Sequence, residues 1–187
     1  MQSDKYISLD FAKQEIEKDI RQLNSTTACF TGHRSHKLPW KFNEKDERCI
    51  DMKIALRTEI EKAIKRGYTT FLCGMAIGFD MICAETVLEL KAHYNYIKII
   101  GAIPCRNQDK FWRYGDKKRY KQLLRKLDGI RCIYDKYNGT ECIIERNKYM
   151  VNNSSLLIAL FNGCPGGTKS TIEYAIKQKL DIVVIKP

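Results

Sequence analysis

Thr69-Thr70-Phe71-Leu72-Cys73-Gly74-Met75-Ala76-Ile77-Gly78-Phe79-Asp80 opens as a short apolar run, breaks on glycine and resumes at helical period. That pattern is a strand passing through a turn into a helix. The helix is expected over Phe79 to His93, with Met81, Ile82, Val87 and Leu88 as apolar positions. A second stretch repeats the design: Ser155 to Phe161, all apolar after the serine, leads into Pro165-Gly166-Gly167-Thr168-Lys169-Ser170-Thr171 and a helix over Thr171 to Lys179. Glycine at such a junction lets an anion approach the backbone. The helix N-terminus supplies unpaired N–H groups and a partial positive charge. Two such junctions predict a site for a phosphorylated, nucleotide-like ligand.

The alternation extends outward from these two stretches. Thr27 to Gly32 reads as a strand, and His33 to Asn43, with Pro39, as a loop. Ile50, Ile54, Ala55 and Ile64 mark an amphipathic helix that stops at Gly67. Ile97 to Ile103 is a strand halted by Pro104, and a basic helix over Lys117 to Leu127 precedes the strand Ile130 to Tyr134. A helix over Cys142 to Val151 follows, and Asp181 to Ile185 is a closing strand. The strands are continuously apolar, as they are when helices cover both faces of a parallel sheet. The expected fold class is therefore α/β: a Rossmann-like, doubly wound, mainly parallel sheet with helices on both faces. Ligands in such sheets bind at strand carboxyl ends beside the switch in strand order, where both glycine junctions stand. Residues 1–25, with Phe11, Ile16, Ile20 and Leu23 on one helical face, read as an N-terminal helical extension, and 26–187 as the nucleotide-binding domain.

Composition narrows the class. Hydrophobic residues make up 44% and charged residues 29% of the 187, the balance of a globular protein. No run approaches the roughly 20 apolar residues of a membrane span, and the N-terminus lacks a signal-peptide layout, so a cytoplasmic protein without a membrane partner is expected. The eight cysteines form no Cys-x-x-Cys pair and are not spaced with His33, His36 or His93 as zinc ligands. Reduced thiols, no metal and no cofactor are expected. Lys plus Arg exceeds Asp plus Glu by 33 − 22, a net charge of +11 that favours anionic ligands.

Gly163-Cys164-Pro165-Gly166-Gly167-Thr168-Lys169-Ser170 comes near to a P-loop, but Thr168 stands where that motif needs its last glycine. A β-branched residue tolerates positive φ poorly, which argues against that class of ATPase. The same turn resembles Pro-Gly-Gly-x-Gly-Thr-x-x-Glu of the LOG-type phosphoribohydrolases through Pro165, Gly166, Gly167 and Glu173, with Arg146 and Met150 matching that family's Arg-x-x-x-Met. Gly74-Met75-Ala76-x-Gly78-x-Asp80 resembles a segment of the DNA-processing protein DprA. These belong to the SLOG superfamily, and the chain most resembles its YpsA-like branch. That resemblance rests on Phe30-Thr31-Gly32-His33-Arg34, the Gly74 to Asp80 turn, Asn107-Gln108 with Trp112, Arg146-Asn147-x-Tyr149-Met150-Val151, and Gly166-Gly167-Thr168 with Tyr174-Ala175. Asn152 and Ser155 stand where acidic residues would be expected after Met150-Val151.

The resemblance implies a binder or sensor of a nucleotide-derived ligand, for example one like ADP-ribose. Gly32, His33, Arg34, Gly74, Ala76, Gly78, Asp80, Asn147, Gly166, Gly167 and Thr168 would surround it, with Trp112 as a stacking surface. Arg34 has the planar fork that clamps phosphate, or it is a surface arginine. Asp80 either accepts ribose hydroxyls or serves the helix dipole. The alternative is a nucleoside 5′-monophosphate phosphoribohydrolase, in which Glu173 and Arg146 would be catalytic: Glu173 activating water or stabilising the oxocarbenium-like transition state, Arg146 orienting it or holding phosphate. A second alternative is single-stranded nucleic acid, read from Phe111, Trp112, Tyr114 and Tyr120 interleaved with Lys and Arg between 110 and 126. The bland reading of that segment is a basic amphipathic helix burying Leu123, Leu124 and Leu127. Homodimers are common in related families, so a homo-oligomer is compatible with this reading, and nothing in the sequence specifies it.

Overall fold

The computed structural model describes residues 24–187. The helical extension read over residues 1–25 therefore lies, apart from its last two residues, outside the described residues. Six strands, β1 Thr27–Gly32, β2 Thr70–Cys73, β3 Lys98–Cys105, β4 Gly129–Tyr134, β5 Leu156–Leu160 and β6 Asp181–Ile185, form one sheet in the order β4-β3-β2-β1-β5-β6. Every neighbouring pair is parallel. Five helices connect them: α1 Glu47–Lys65, α2 Phe79–Leu90, α3 Tyr114–Leu124, α4 Glu141–Asn152 and α5 Gly167–Lys177. This is the α/β Rossmann-like fold that the strand pattern predicts.

The pleat sends alternate side chains of β1 to opposite faces. Ala28 and Phe30 join the core under α1, α2 and α3, with Leu56, Ile60, Phe71, Phe79 and Leu123. Cys29 joins the core under α4 and α5, with Leu72, Met150, Leu157, Ala159 and Ala175. Burial of both faces is why β1 and β5 read as unbroken apolar runs. It also pushes the Cys29 thiol pKa up to about 12, so this sulfur behaves as a small hydrophobe. The chain builds outward from β1 to β4 on one side and returns through β5 and β6 on the other. The switch point therefore lies between the carboxyl ends of β1 and β5, in register as Gly32 opposite Leu160.

The apolar face of α1 differs from the isoleucine-based reading. Cys49, Met52, Leu56, Ile60, Ala63 and Ile64 are buried, whereas Ile50 and Ile54 face solvent. The positions 49, 52, 56, 60 and 63 follow the three-and-four spacing of one helical stripe, and 50 and 54 fall off it. Asp46 caps α1 by accepting the Arg48 N–H, and Gly67, at φ +96°, follows the helix. α5 begins at Gly167, four residues before the expected start, with Gly166 as its N-cap. Among the described residues, no helix is long and apolar enough to cross a membrane.

Candidate functional site

The carboxyl end of β1, the β2–α2 turn, the middle of α4 and the N-terminus of α5 enclose a cavity of about 200 Å³ at the switch point. The two glycine junctions thus meet at one cleft, but they contribute differently. At the β5–α5 junction, Gly166 has φ +142° and ψ −170°, a conformation essentially reserved for glycine. No side chain caps the helix that follows, and Gly166, Gly167 and Thr168, where a helix leaves its first amides without intrahelical partners, line the cleft. At the β2–α2 junction the amides are engaged within the protein. Ala76 N–H donates to Asp80 Oδ2 at 3.2 Å, and Phe79 N–H to the His33 carbonyl at 3.4 Å. Gly78, at φ +103°, presses against the β1–α1 loop so closely that a Cβ would sit 2.6 Å from Ser35 N. Gln108 donates to the carbonyl of Met75, which itself has φ +57°, and so clamps the turn from the β3–α3 loop.

What this second junction brings to the cleft is an ion pair. Asp80 and Arg146 are 6% and 5% exposed, and Arg146 Nη1 reaches Asp80 Oδ2 at 3.5 Å, the limit of a hydrogen bond. Gly74 makes room for them: a Cβ there would lie 2.5 Å from Arg146 Cζ and 2.6 Å from Asp80 Oδ2. Burial raises the Asp80 pKa above the ordinary carboxylate value, opposed by the Arg146 charge and the Ala76 N–H. Arg146 Nε has no hydrogen-bond partner although it is buried. A buried guanidinium with one bond at the distance limit and an orphan N–H is under-satisfied. Arg34 and Lys37 add two cations at the rim. Three positive groups against one carboxylate leave the lining at 3 − 1, or +2.

His33 closes the cleft from the β1 side and is 6% exposed. Its Nε2 lies 2.8 Å from Asn162 Oδ1. The Asn162 backbone N–H approaches the same Nε2 at 3.4 Å, and Nδ1 faces the Thr168 hydroxyl at 3.5 Å, so both ring nitrogens are engaged within the protein. Burial lowers the His33 pKa most, with the Asn162 bond opposing and the Lys37 charge assisting. Asn147 donates to Thr171 Oγ1 at 3.0 Å, which in turn donates to the Gly167 carbonyl at 2.8 Å, tying α4 to the first turn of α5.

Of the residues that the sequence singles out, Gly32, His33, Arg34, Ala76, Asp80, Arg146, Asn147, Gly166, Gly167 and Thr168 line the cleft. Gly74 and Gly78 lie behind it, as spaces for Arg146 and for the β1–α1 loop. Glu173 and Trp112 are elsewhere. Glu173 is exposed on α5 with its carboxylate 3.7 Å from Lys169 Nζ, and Trp112 packs edge-on against Tyr120 at 5.1 Å on the core. The sequence reading passes over Lys37, which lines the cleft, and Asn162, which lies behind it and holds His33. Asn162 lies 129 positions from the histidine it orients, and no local pattern marks that contact.

The family model described as the YspA SLOG family matches residues 28–185. The SPbeta prophage-derived protein YoqJ of Bacillus subtilis is 31% identical over 148 residues, covering 73% of this chain and 86% of that protein. A UPF0398 protein of Brevibacillus brevis is 26% identical over 152 residues, covering 81% and 80%. Among solved structures, DNA processing protein A of Helicobacter pylori superposes with a TM-score of 0.60 at 19% identity, over 89% of this chain and 67% of that one. The Streptococcus pneumoniae protein gives 0.58 at 14%, over 89% of this chain and 51% of its own length. At these identities the solved structures speak for the fold alone. The family match over nearly the whole described chain identifies this protein as a member of the YpsA (YspA SLOG) family.

Proposed function

We propose that this protein binds a nucleotide or nucleotide-derived ligand, of the ADP-ribose type, in the cleft at the β1–β5 switch point. The ligand's phosphate would sit at the open N-terminus of α5, within reach of Arg34 and Lys37. The observation that carries the reading is Arg146, a buried guanidinium that lines a cleft of net positive charge and is held by one bond at the distance limit. Such a guanidinium is costly unless an anion completes its bonding. Family membership and a fold shared with Helicobacter pylori DNA processing protein A, a single-stranded DNA binding protein, support a ligand of nucleotide chemistry. The binding unit spans residues 26–187.

Binding without cleavage is the reading the geometry favours over phosphoribohydrolase activity. The carboxylate that cleavage would use by resemblance, Glu173, points to solvent and pairs with Lys169. A thermal-shift series with ADP-ribose, AMP and ribose 5-phosphate tests the reading, because ligand at 100 times its Kd stabilises by about 2.7 kcal/mol. At least one of them should raise the midpoint, and Arg146→Met should abolish the rise. Chromatography of the incubated AMP should show no free adenine, and Glu173→Ala should bind as the wild type does. A flat response to all three ligands would remove the proposal. Adenine release that depends on Glu173 would replace it with the hydrolase.

A further inference from the structure

The β3–α3 loop and the first turn of α3 carry aromatic rings that the core does not use. The structure sorts the interleaved aromatics of this segment into two sets. Trp112 and Tyr120 turn inward and pair on the core. Phe111 and Tyr114 turn outward, 89% and 82% exposed. Phe42, from the loop before α1, joins them: the Arg113 guanidinium lies 5.4 Å from its ring centroid, and Lys110 Nζ lies 5.2 Å from that of Phe111. Exposed rings of this size, two of them with a cation over the face, mark an interaction surface.

The charge around them is one-sided. Residues 106–126 contain nine Lys and Arg against Asp109 and Asp116, so 9 − 2 gives +7 of the chain's +11. Arg106 pairs with Asp135, and Arg119 is held between Glu44 and Glu85. Among the described residues, the other 9 − 2 = 7 cations have no carboxylate at ion-pair distance. None of Phe42, Phe111 and Tyr114 lines the nucleotide cleft.

We propose that this surface docks single-stranded nucleic acid, with bases stacked on Phe111, Tyr114 and Phe42 and phosphates neutralised by Lys110, Arg113, Lys117 and Lys118. Unpaired bases offer the π-faces that such rings take, and a duplex hides them. A membrane surface fits less well. The apolar side of α3, Tyr120 and Leu123, is buried in the core, so the helix has no free apolar face to lay into lipid.

Fluorescence anisotropy with labelled oligothymidylate, in a salt series, tests the proposal. Phe111→Ala and Tyr114→Ala should each weaken binding about 5-fold or more while leaving the salt slope unchanged, because no charge is lost. Lys117→Gln with Lys118→Gln should weaken binding and flatten the slope. Both rings are surface groups, so unchanged circular dichroism is expected and excludes unfolding as the cause. Saturating ADP-ribose should leave the oligonucleotide bound, whatever the fate of the cleft reading. Binding that ignores the two ring variants, competition by ADP-ribose, a preference for duplex, or binding only to phosphatidylserine vesicles would each overturn it. So would no binding at all.

Discussion

Gly74 and Arg146 form one unit at the residue scale. The guanidinium occupies the space that any other residue at position 74 would fill with its Cβ. Gly74→Ala should therefore destabilise the fold by about 1–3 kcal/mol, the usual range for forcing atoms into a packed site. It should also displace Arg146 and abolish the nucleotide-induced thermal shift. Urea unfolding with and without ADP-ribose measures both, and an unchanged shift in that variant would detach Arg146 from the site. His33 adds a pH dependence whose sign follows from its lowered pKa. Folding favours the neutral ring, so below the ordinary value of about 6.5 the unfolded chain binds more protons than the folded one. The His33 contribution is complete above that pH and is lost as pH falls through it toward the folded value. His33→Asn should flatten the change in urea midpoint between about pH 7 and pH 5. A slope identical to the wild type would assign the dependence to other groups. These residues were legible to different degrees. Arg146 and His33 stand in motifs with neighbours to mark them. Lys37 lines the cleft from the loop after Arg34, outside any motif, and Asn162 touches His33 through a long-range contact that no local pattern displays.

The two glycines that end and begin helices separate stability from binding at the element scale. Gly67 follows α1 at φ +96° with open space around its Cβ position, so Gly67→Ala meets only backbone strain, about 1 kcal/mol. Gly166 starts α5 at φ +142°, where the cost for alanine is about 1–3 kcal/mol. Both variants should lower the thermal midpoint, and only Gly166→Ala should also lose the response to nucleotide. If Gly67→Ala lost it equally, the effect would be general loosening rather than damage to the α5 terminus. Element order, type and parallel pairing were legible because burial on both faces writes itself as continuous apolar runs. Helix phase and ends were less so. On α1 the isoleucines at 50 and 54 drew the reading away from Met52, Leu56 and Ile60, although the latter keep the helical spacing. At α5, Gly167-Thr168-Lys169-Ser170 carries no side-chain cap signature, which hid its first turn. The assumption that both glycine junctions present their amides met an exception in α2, whose leading N–H groups are spent on His33 and Asp80.

The sheet order makes the cleft a seam between two halves of the whole molecule. β1 to β4 with α1 to α3 build one side, and β5 and β6 with α5 the other, while α4 crosses to bring Arg146 over Asp80. A ligand held there touches segments far apart in sequence: 31–34, 76–80, 143–147 and 165–168. Amide hydrogen exchange reads this directly. Without ligand, protection should be greatest in β1 and β5, whose interior residues are fully buried, and least at the edge strand β4, where Ile130 and Arg131 are exposed. With ADP-ribose, added protection should appear together in the 31–34 and 165–168 segments, because one ligand closes both sides of the seam. Edge strands β4 and β6 should not change. Protection confined to one side would mean that the ligand binds a single loop rather than the switch point. Added protection centred on 106–114 would move it to the aromatic surface beside α3. Either pattern would contradict a cleft in which Arg146 and the α5 terminus share one anion.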